Sequence, residues 1–228
     1  MGAPVGRAST VSLLRVELAE LNWSKAINPL TDLCKTDRNI WVTACTLGIR
    51  EKEIRESFDF TDRVHELTKG KRVLEIGCGH GLVGSILIEK GYAKTVTMLD
   101  KRITKANSKI ISALNNHTRL FFNLKDAADP SALENLEFDA VIGVHACGDL
   151  TDTLIDIAIR KGASVAVATC CMDKLRNPKM RKYLQIYGEL GVEIKRVQKL
   201  MDAGYEVSVR SLKSSITPKN RIIMGKKK

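Results

Sequence analysis

The 228-residue sequence lacks any run long and apolar enough to span a bilayer. Its longest uncharged stretch, Ile76 to Ile88, contains four glycines and His80 and falls short of the ~20 apolar residues a spanning helix needs. Internal repeats and low-complexity blocks are also missing, so one fold has to account for the chain. The six cysteines include no Cys-x-x-Cys pair, and no secretory signal is evident. Both absences favour a reducing compartment, with the cytoplasm as the expected location. Arg7 and Arg15 sit in an acid-free opening segment, but Glu17 and Glu20 follow at once, so a mitochondrial or nuclear location stays open only as an alternative. A hydrophobic content of 44% with 28% charged residues excludes a disordered tail, a collagen-like rod and a membrane protein.

What is present in excess is positive charge, and its position is informative. The formal net charge is +11. Residues 1–70 carry ten Lys/Arg and ten Asp/Glu, residues 71–160 carry eleven of each, and residues 161–228 carry sixteen against five. The entire surplus therefore falls in the last third, as expected of a face that meets a polyanion. The plainer alternative is a solvated surface with a basic tail at Lys226, Lys227 and Lys228.

From Lys71 onward, short apolar β-type runs alternate with helical patterns. The strand candidates are Arg72–Gly77, Thr95–Asp100, Arg119–Leu124, Phe138–Ala146, Ser164–Cys170, Glu193–Lys199 and Arg221–Gly225. Helices are expected at Leu82–Lys90, Ile103–Asn115, Leu150–Arg160 and Pro178–Leu190. Such alternation predicts an α/β fold with a mostly parallel sheet covered by helices on both faces. The first seventy residues read differently, with helical spacing in Val11–Leu21, Ile40–Ile49 and Thr61–Leu67 and helix starts at Ser24, Thr31 and Thr61. The expected division is an N-terminal helical extension over residues 1–70 and a sheet domain over residues 71–228. Trp23 and Trp41 are expected to anchor the extension on the sheet.

The most informative segment is Glu75-Ile76-Gly77-Cys78-Gly79-His80-Gly81, a strand running into three alternate glycines before a helix. Such a loop brings backbone N–H groups and a helix N-terminus to a ligand with no side chains in the way. Gly79-His80-Gly81-Leu82-Val83-Gly84 also matches the dinucleotide fingerprint Gly-x-Gly-x-x-Gly. That frame, however, starts two residues beyond the strand end, and it sets Glu75 beside a pyrophosphate, which is electrostatically unfavourable. The frame from Glu75, acid-x-Gly-x-Gly-x-Gly, resembles the first motif of class I S-adenosylmethionine-dependent methyltransferases. The resemblance covers about Lys71 to Gly225. It implies a seven-stranded Rossmann-like sheet with an antiparallel last strand, and ligands at the carboxyl ends of the strands. It further implies S-adenosylmethionine contacts from Glu75 to the cationic methionine end, from Gly77, Cys78, Gly79 and Gly81 in the loop, from Asp100 with Lys101 near the ribose, and from Asp126 to the adenine.

The loops expected after strands four and five read His145-Ala146-Cys147-Gly148-Asp149-Leu150-Thr151-Asp152 and Thr169-Cys170-Cys171-Met172-Asp173-Lys174. The Asn/Asp-Pro-Pro-aromatic signature of amino-group methyltransferases is absent. The pair His-x-Cys-Gly and Cys-Cys resembles a smaller branch that includes tRNA ribose 2′-O-methyltransferase-like domains. This chain departs from those enzymes in lacking Cys/His finger modules and in having Met172 and Asp173 where they usually have two histidines. His145 is the candidate general base, with Cys147 and Asp149 near the reacting atoms. The competing readings are a backbone-bonding histidine and, for Asp149, a helix N-cap. Thr169-Cys170 also looks like a motif of RNA cytosine-C5 methyltransferases, but the expected Asp-x-Pro-Cys is replaced by His145-Ala146-Cys147. A zinc site from His145, Cys147, Cys170 and Cys171 is disfavoured by the adjacent cysteines; small buried thiols are the default.

Lys174, Arg176, Lys179, Arg181 and Lys182 follow directly and would give the substrate mouth a cationic rim, which Thr217-Pro218-Lys219-Asn220-Arg221 could extend. Substrate contacts are therefore expected from Cys170, Cys171, Lys174, Arg176 and Arg181, with Tyr183, Tyr187 and Tyr205 available for stacking on bases. The expected function is methyl transfer from S-adenosylmethionine to RNA, on a ribose 2′-oxygen or a base of tRNA or rRNA. A protein or small-molecule acceptor is the alternative, and a catalytically silent module that binds cofactor or RNA is a third. No membrane and no metal ion are expected.

Overall fold

Arg72–Ile76 (β1) lies in the interior of the sheet, since its Val, Leu and Ile are buried on both faces, which only an interior strand allows. The computed structural model describes residues 34–113, 119–127, 129, 133–169, 171–172 and 174–227. Two helices precede β1, α1 (Lys35–Thr46) and α2 (Glu51–Thr68). After it come α3 (Leu82–Glu89), β2 (Thr95–Asp100), α4 (Lys105–Ala113), β3 (Leu120–Leu124) and β4 (Ala140–Gly143). The chain continues through α5 (Asp149–Lys161), β5 (Ser164–Ala168), α6 (Pro178–Asp202), β6 (Tyr205–Ser211) and β7 (Arg221–Lys227).

The strands form one seven-stranded sheet in the order β3-β2-β1-β4-β5-β7-β6. Strands β1 to β5 are parallel, and β7 runs antiparallel to both β5 and β6. The strand order reverses between β1 and β4, which opens a crevice beyond their carboxyl ends, where an α/β sheet binds its ligands. Phe60 and Val64 of α2 and Val83 and Leu87 of α3 bury one face of the sheet. Leu154 and Ile155 of α5 and Leu200 of α6 bury the other.

Helix α1 is stapled to α2 and α3 through Ile40, Trp41, Ile54, Phe58 and Leu82. Trp41 is buried beside Phe58, with ring centroids 5.8 Å apart, in the anchoring role expected of it. Trp23, Ser24, Thr31 and the Val11–Leu21 pattern lie outside the described residues. Thr61 does not start a helix. It lies in the eighteen-residue α2, its hydroxyl donating to the Phe58 carbonyl at 2.8 Å. The sequence hides the first part of α2 because Glu56, Ser57 and Asp59 interrupt its apolar period and yet are buried. Asp59 is compensated by the Lys213 backbone N–H at 2.6 Å.

Glu193–Lys199 is helical, not a strand, and forms part of the second limb of α6. Within it Arg196 is 1% exposed and Ile194 58%, the reverse of what its hydropathy suggests, because Arg196 pairs with Asp152 across α5. The true sixth strand is β6, whose alternating Val207 and Val209 carry a strand signal; it is one of the two edge strands, so its outer residues are exposed. Helix α6 also runs beyond Leu190, kinking at Gly188. Strand β4 is shorter than Phe138–Ala146, because the chain leaves the sheet after Gly143 to form the loop that carries His145.

Candidate active site

The glycine loop follows β1 at the crevice. The Gly77 N–H donates to the Leu99 carbonyl at 2.8 Å, which ties the loop to the end of β2. Gly81 caps α3 at φ 75°, and a Cβ there would stand 2.8 Å from Asn107 Nδ2 and 2.9 Å from Met98 Sδ, so glycine is required by both conformation and space. Asp100, at the end of β2, accepts from the Gly79 N–H at 2.9 Å and the Arg102 N–H at 3.1 Å. Each carboxylate oxygen keeps a lone pair for another donor.

A cavity of about 590 Å³ opens beside this loop. It brings together nine of the residues singled out in the sequence: Gly77, Asp100, Lys101, Asp126, His145, Cys147, Asp149, Lys174 and Arg176. Ile76, Leu99, Lys125, Ala127, Leu150 and Thr153 complete the lining and were not anticipated. Lys101 Nζ lies 3.9 Å from Asp126 Oδ2.

Four of the predicted cofactor residues stand behind the cavity instead of lining it. Glu75 is buried beneath α3, where Oε2 accepts from the Gly84 N–H at 2.9 Å. Burial first, and Asp100 in addition, push its carboxyl up to about 8 against the lowering effect of the Gly84 bond. Cys78 is buried next to Asn107, and desolvation foremost raises its thiol pKa, which disfavours the thiolate. Gly79 and Gly81 shape the loop. Of the predicted substrate residues, Cys171 and Arg181 do not line the cavity, and Cys170 lies outside the described residues. Among the described residues no three His, Cys, Asp or Glu side chains converge as metal ligands.

His145 adopts φ 58°, the sole positive φ among the described non-glycine residues. A bulky side chain held there costs on the order of 1–2 kcal/mol, which the surrounding structure has to offset. Its Nε2 lies 3.1 Å from Glu56 Oε2, a carboxylate supplied by α2 and 2% exposed. The Glu56 contact raises the His145 pKa and outweighs the opposing effect of burial; Glu56, Cys147 and Glu53 add Coulombic support. Burial in turn pushes the Glu56 carboxyl upward, but His145, Lys52 and Thr217 bring it to a net value below the usual range. His80 stands nearby, with Nδ1 accepting from the Leu82 N–H at 3.2 Å; burial is the leading cause of its lowered pKa. No sequence motif pointed to Glu56, because the pairing spans the fold from α2 to the β4–α5 loop.

The two motif loops are interlocked. The Gly148 N–H donates to the Cys171 carbonyl at 2.9 Å, and Asp149 accepts from the backbone N–H groups of Arg176 and Asn177 at 3.0 and 3.2 Å. Buried Arg196 donates to the Gly148 carbonyl at 2.9 Å while pairing with Asp152 at 2.7 Å. Asp149 therefore holds Arg176 at the cavity through its backbone. A Cβ on Gly148, at φ 61°, would stand 2.4 Å from the Lys174 carbonyl oxygen. Gly148→Ala is expected to lower stability by about 2–3 kcal/mol through this clash and the φ strain, read as a fall in the urea midpoint.

The other basic and aromatic candidates divide. Lys219 pairs with Glu189 at 2.8 Å and Arg221 with Glu193 at 3.0 Å, so this segment does not extend the cavity's rim. Tyr205 is no stacking platform: it is buried, with its hydroxyl 2.8 and 2.9 Å from the Ala158 and Ala163 carbonyls. Among the described residues no helix is long and apolar enough to cross a membrane.

A family model described as a methyltransferase domain matches residues 50–178. The chain belongs to this methyltransferase-domain family, and S-adenosylmethionine is its cofactor. Over 132 residues it is 30% identical to phthiotriol/phenolphthiotriol dimycocerosates methyltransferase 1 of Mycobacterium ulcerans (strain Agy99). That match covers 57% of this chain and 43% of the relative, so the chain spans less than half of the relative's length. An O-methyltransferase family protein from Burkholderia thailandensis superposes with a TM-score of 0.54 at 16% identity, over 95% of this chain and 70% of the other. Magnesium protoporphyrin IX methyltransferase (ChlM) from Synechocystis PCC 6803, solved with bound SAH, gives 0.51 at 16% identity, over 94% and 97%. At such identities the two structures share the fold. The cavity's chemistry suits the cofactor, because Asp100 and Asp126 offer carboxylate acceptors to hydroxyl and amino donors of a cationic ligand.

Proposed function

We propose that this protein methylates a ribose hydroxyl of RNA, with His145 as general base. The observation that carries this reading is that His145 lines the same cavity as the carboxylates of Asp100 and Asp126 and the cations of Lys174 and Arg176. Bound S-adenosylmethionine supplies the electrophilic methyl group. Asp100 accepts hydrogen bonds from the ribose hydroxyls and Asp126 from the adenine amino group. Glu56 lies 3.1 Å from His145 Nε2 and favours the proton there, which leaves Nδ1 as the proton acceptor for the attacking hydroxyl. Lys174 and Arg176 attract the acceptor's phosphates. The chain's main catalytic contribution is to hold the acceptor oxygen in line with the methyl group.

The test is transfer of tritium from methyl-labelled cofactor into cell extract, followed by RNase and protease digestion. RNase-sensitive label supports the proposal, and nucleoside analysis then has to find the methyl on ribose. Label that survives RNase but not protease overturns the RNA acceptor. Label in an organic-soluble fraction favours a small-molecule acceptor, a second reading supported by the lipid named in the Mycobacterium ulcerans relative. With an RNA acceptor, Lys174→Glu/Arg176→Glu is expected to raise KM at least about tenfold and to flatten its salt dependence. An unchanged KM for RNA would remove these two residues from the acceptor site.

A further inference from the structure

A second cavity, of about 540 Å³, lies between α5 and the two limbs of α6. The first limb contributes Lys179, Lys182 and Tyr183, and the second contributes Lys195. The cavity exists because α6 folds at Gly188, whose φ 67° and ψ −170° belong to a region essentially reserved for glycine. The acids in the lining are largely spoken for. Asp152 pairs with buried Arg196 at 2.7 Å and Asp156 with Lys199 at 2.5 Å. That leaves three lysines facing Asp202, which accepts from Gln198 Nε2 at 2.7 Å. Among the described residues neither the Lys179 nor the Lys182 ammonium is in an ion pair, while Lys195 Nζ lies 5.6 Å from the centre of the Tyr183 ring. Cations beside an aromatic face are what a nucleotide needs: phosphate for the lysines and a base for the ring.

This cavity adjoins the first. Arg176 lines the methyl-transfer cavity and Asn177, the next residue, lines the second; Asp149 binds both backbone N–H groups. Helix α5 divides them in the same way, presenting Asp149 and Thr153 to one and Asp152 and Asp156 to the other.

We propose that the second cavity is a subsite for a neighbouring nucleotide of the acceptor strand, its phosphate held by Lys179, Lys182 and Lys195 and its base against Tyr183. This rests on the RNA reading above. The subsite explains why the chain's positive charge clusters in the last third and continues along α6 past the first cavity. It makes single-stranded RNA the form recognised, since a base must leave its stack to reach Tyr183.

The test is fluorescence anisotropy of a 5′-labelled, mixed-sequence single-stranded RNA of roughly 12 nucleotides, titrated with full-length protein between about 50 and 300 mM salt. Lys179→Ala/Lys182→Ala is expected to weaken binding about tenfold and to reduce the magnitude of the log–log salt slope by about 1.4. Tyr183→Ala is expected to weaken binding at least about fivefold with the slope unchanged, as loss of stacking does. S-adenosylhomocysteine affinity, measured by calorimetry, should match wild type in both. Wild-type affinity and slope in the double variant would overturn the subsite and leave the RNA reading standing. A wild-type protein with no salt-dependent RNA affinity would overturn both.

Discussion

His145→Ala should lower kcat for methyl transfer by about 10²–10⁴-fold while S-adenosylhomocysteine affinity stays at the wild-type level. The histidine is positioned at a cost: its backbone is left-handed, and its ring is held by a carboxylate from another part of the chain. Glu56→Gln tests whether that carboxylate sets the base. With Glu56 ionised, His145 keeps its proton to a pH above the ordinary 6.5, so the base form accumulates only above that raised value. The rate should therefore climb with pH through the raised pKa in wild type. In Glu56→Gln the climb should move to lower pH, because the charge that favours imidazolium is gone. A lost packing contact alone would lower the rate without moving the profile. The profile also has to be read with His80, Glu53 and Cys147 in place, since all three lie close enough to act on this cluster. A wild-type kcat in His145→Ala, or an unmoved profile in Glu56→Gln, would remove the dyad from the mechanism.

The parallel half of the fold was legible in the sequence because its interior strands β1, β4 and β5 are buried on both faces and read as short apolar runs without reference to a partner. Thr95–Asp100 is found with the expected bounds, and the glycine loop and the acid at its neighbouring strand end lie where the motif implied. The errors lie where tertiary pairing overrides local pattern. Arg196 is buried by its bond to Asp152, so the segment around it gave no amphipathic helical period. Helix α2 concealed its beginning because Glu56 and Asp59 are buried acids whose partners, His145 and the Lys213 backbone, lie 89 and 154 residues away in sequence.

The same long-range pairings explain why no motif reports Glu56. Motifs report residues that are close in sequence, and the first cavity collects those: two loops, one interlock through Gly148, and the ends of β2 and β4. Glu56 reaches His145, and Arg196 of the second limb of α6 reaches Gly148, only through the folded topology, one from before β1 and one from after β5. The family match runs from residue 50 to residue 178, so it takes in α2 together with strands β1 to β5. Helix α2 thus supplies both a face of the core and the carboxylate that holds His145.

Glu75→Gln should flatten the pH dependence of stability and leave the variant more stable than wild type at pH 8. The wild-type carboxyl is buried, and its pKa lies at about 8, against 4.5 for an ordinary glutamate. Between these values the folded chain binds a proton that the unfolded chain has released, so stability must fall as pH rises. The slope is at most about 1.4 kcal/mol per pH unit, and across the window it sums to about 5 kcal/mol. Glutamine keeps a carbonyl oxygen for the Gly84 N–H and keeps the volume of glutamate. The volume matters because Glu75 Oε2 stands 2.6 Å from where a Cβ on Gly84 would be. The substitution removes the titration and exchanges a hydroxyl donor for an amide, so the comparison between pH values, not the absolute midpoint, isolates the ionisation. The difference between the urea midpoints at pH 5 and pH 8 should be smaller in the variant than in wild type, because the Glu75 share is removed while His145, His80 and Glu193 still titrate. Parallel curves for the two proteins would mean that Glu75 is ionised in the folded state.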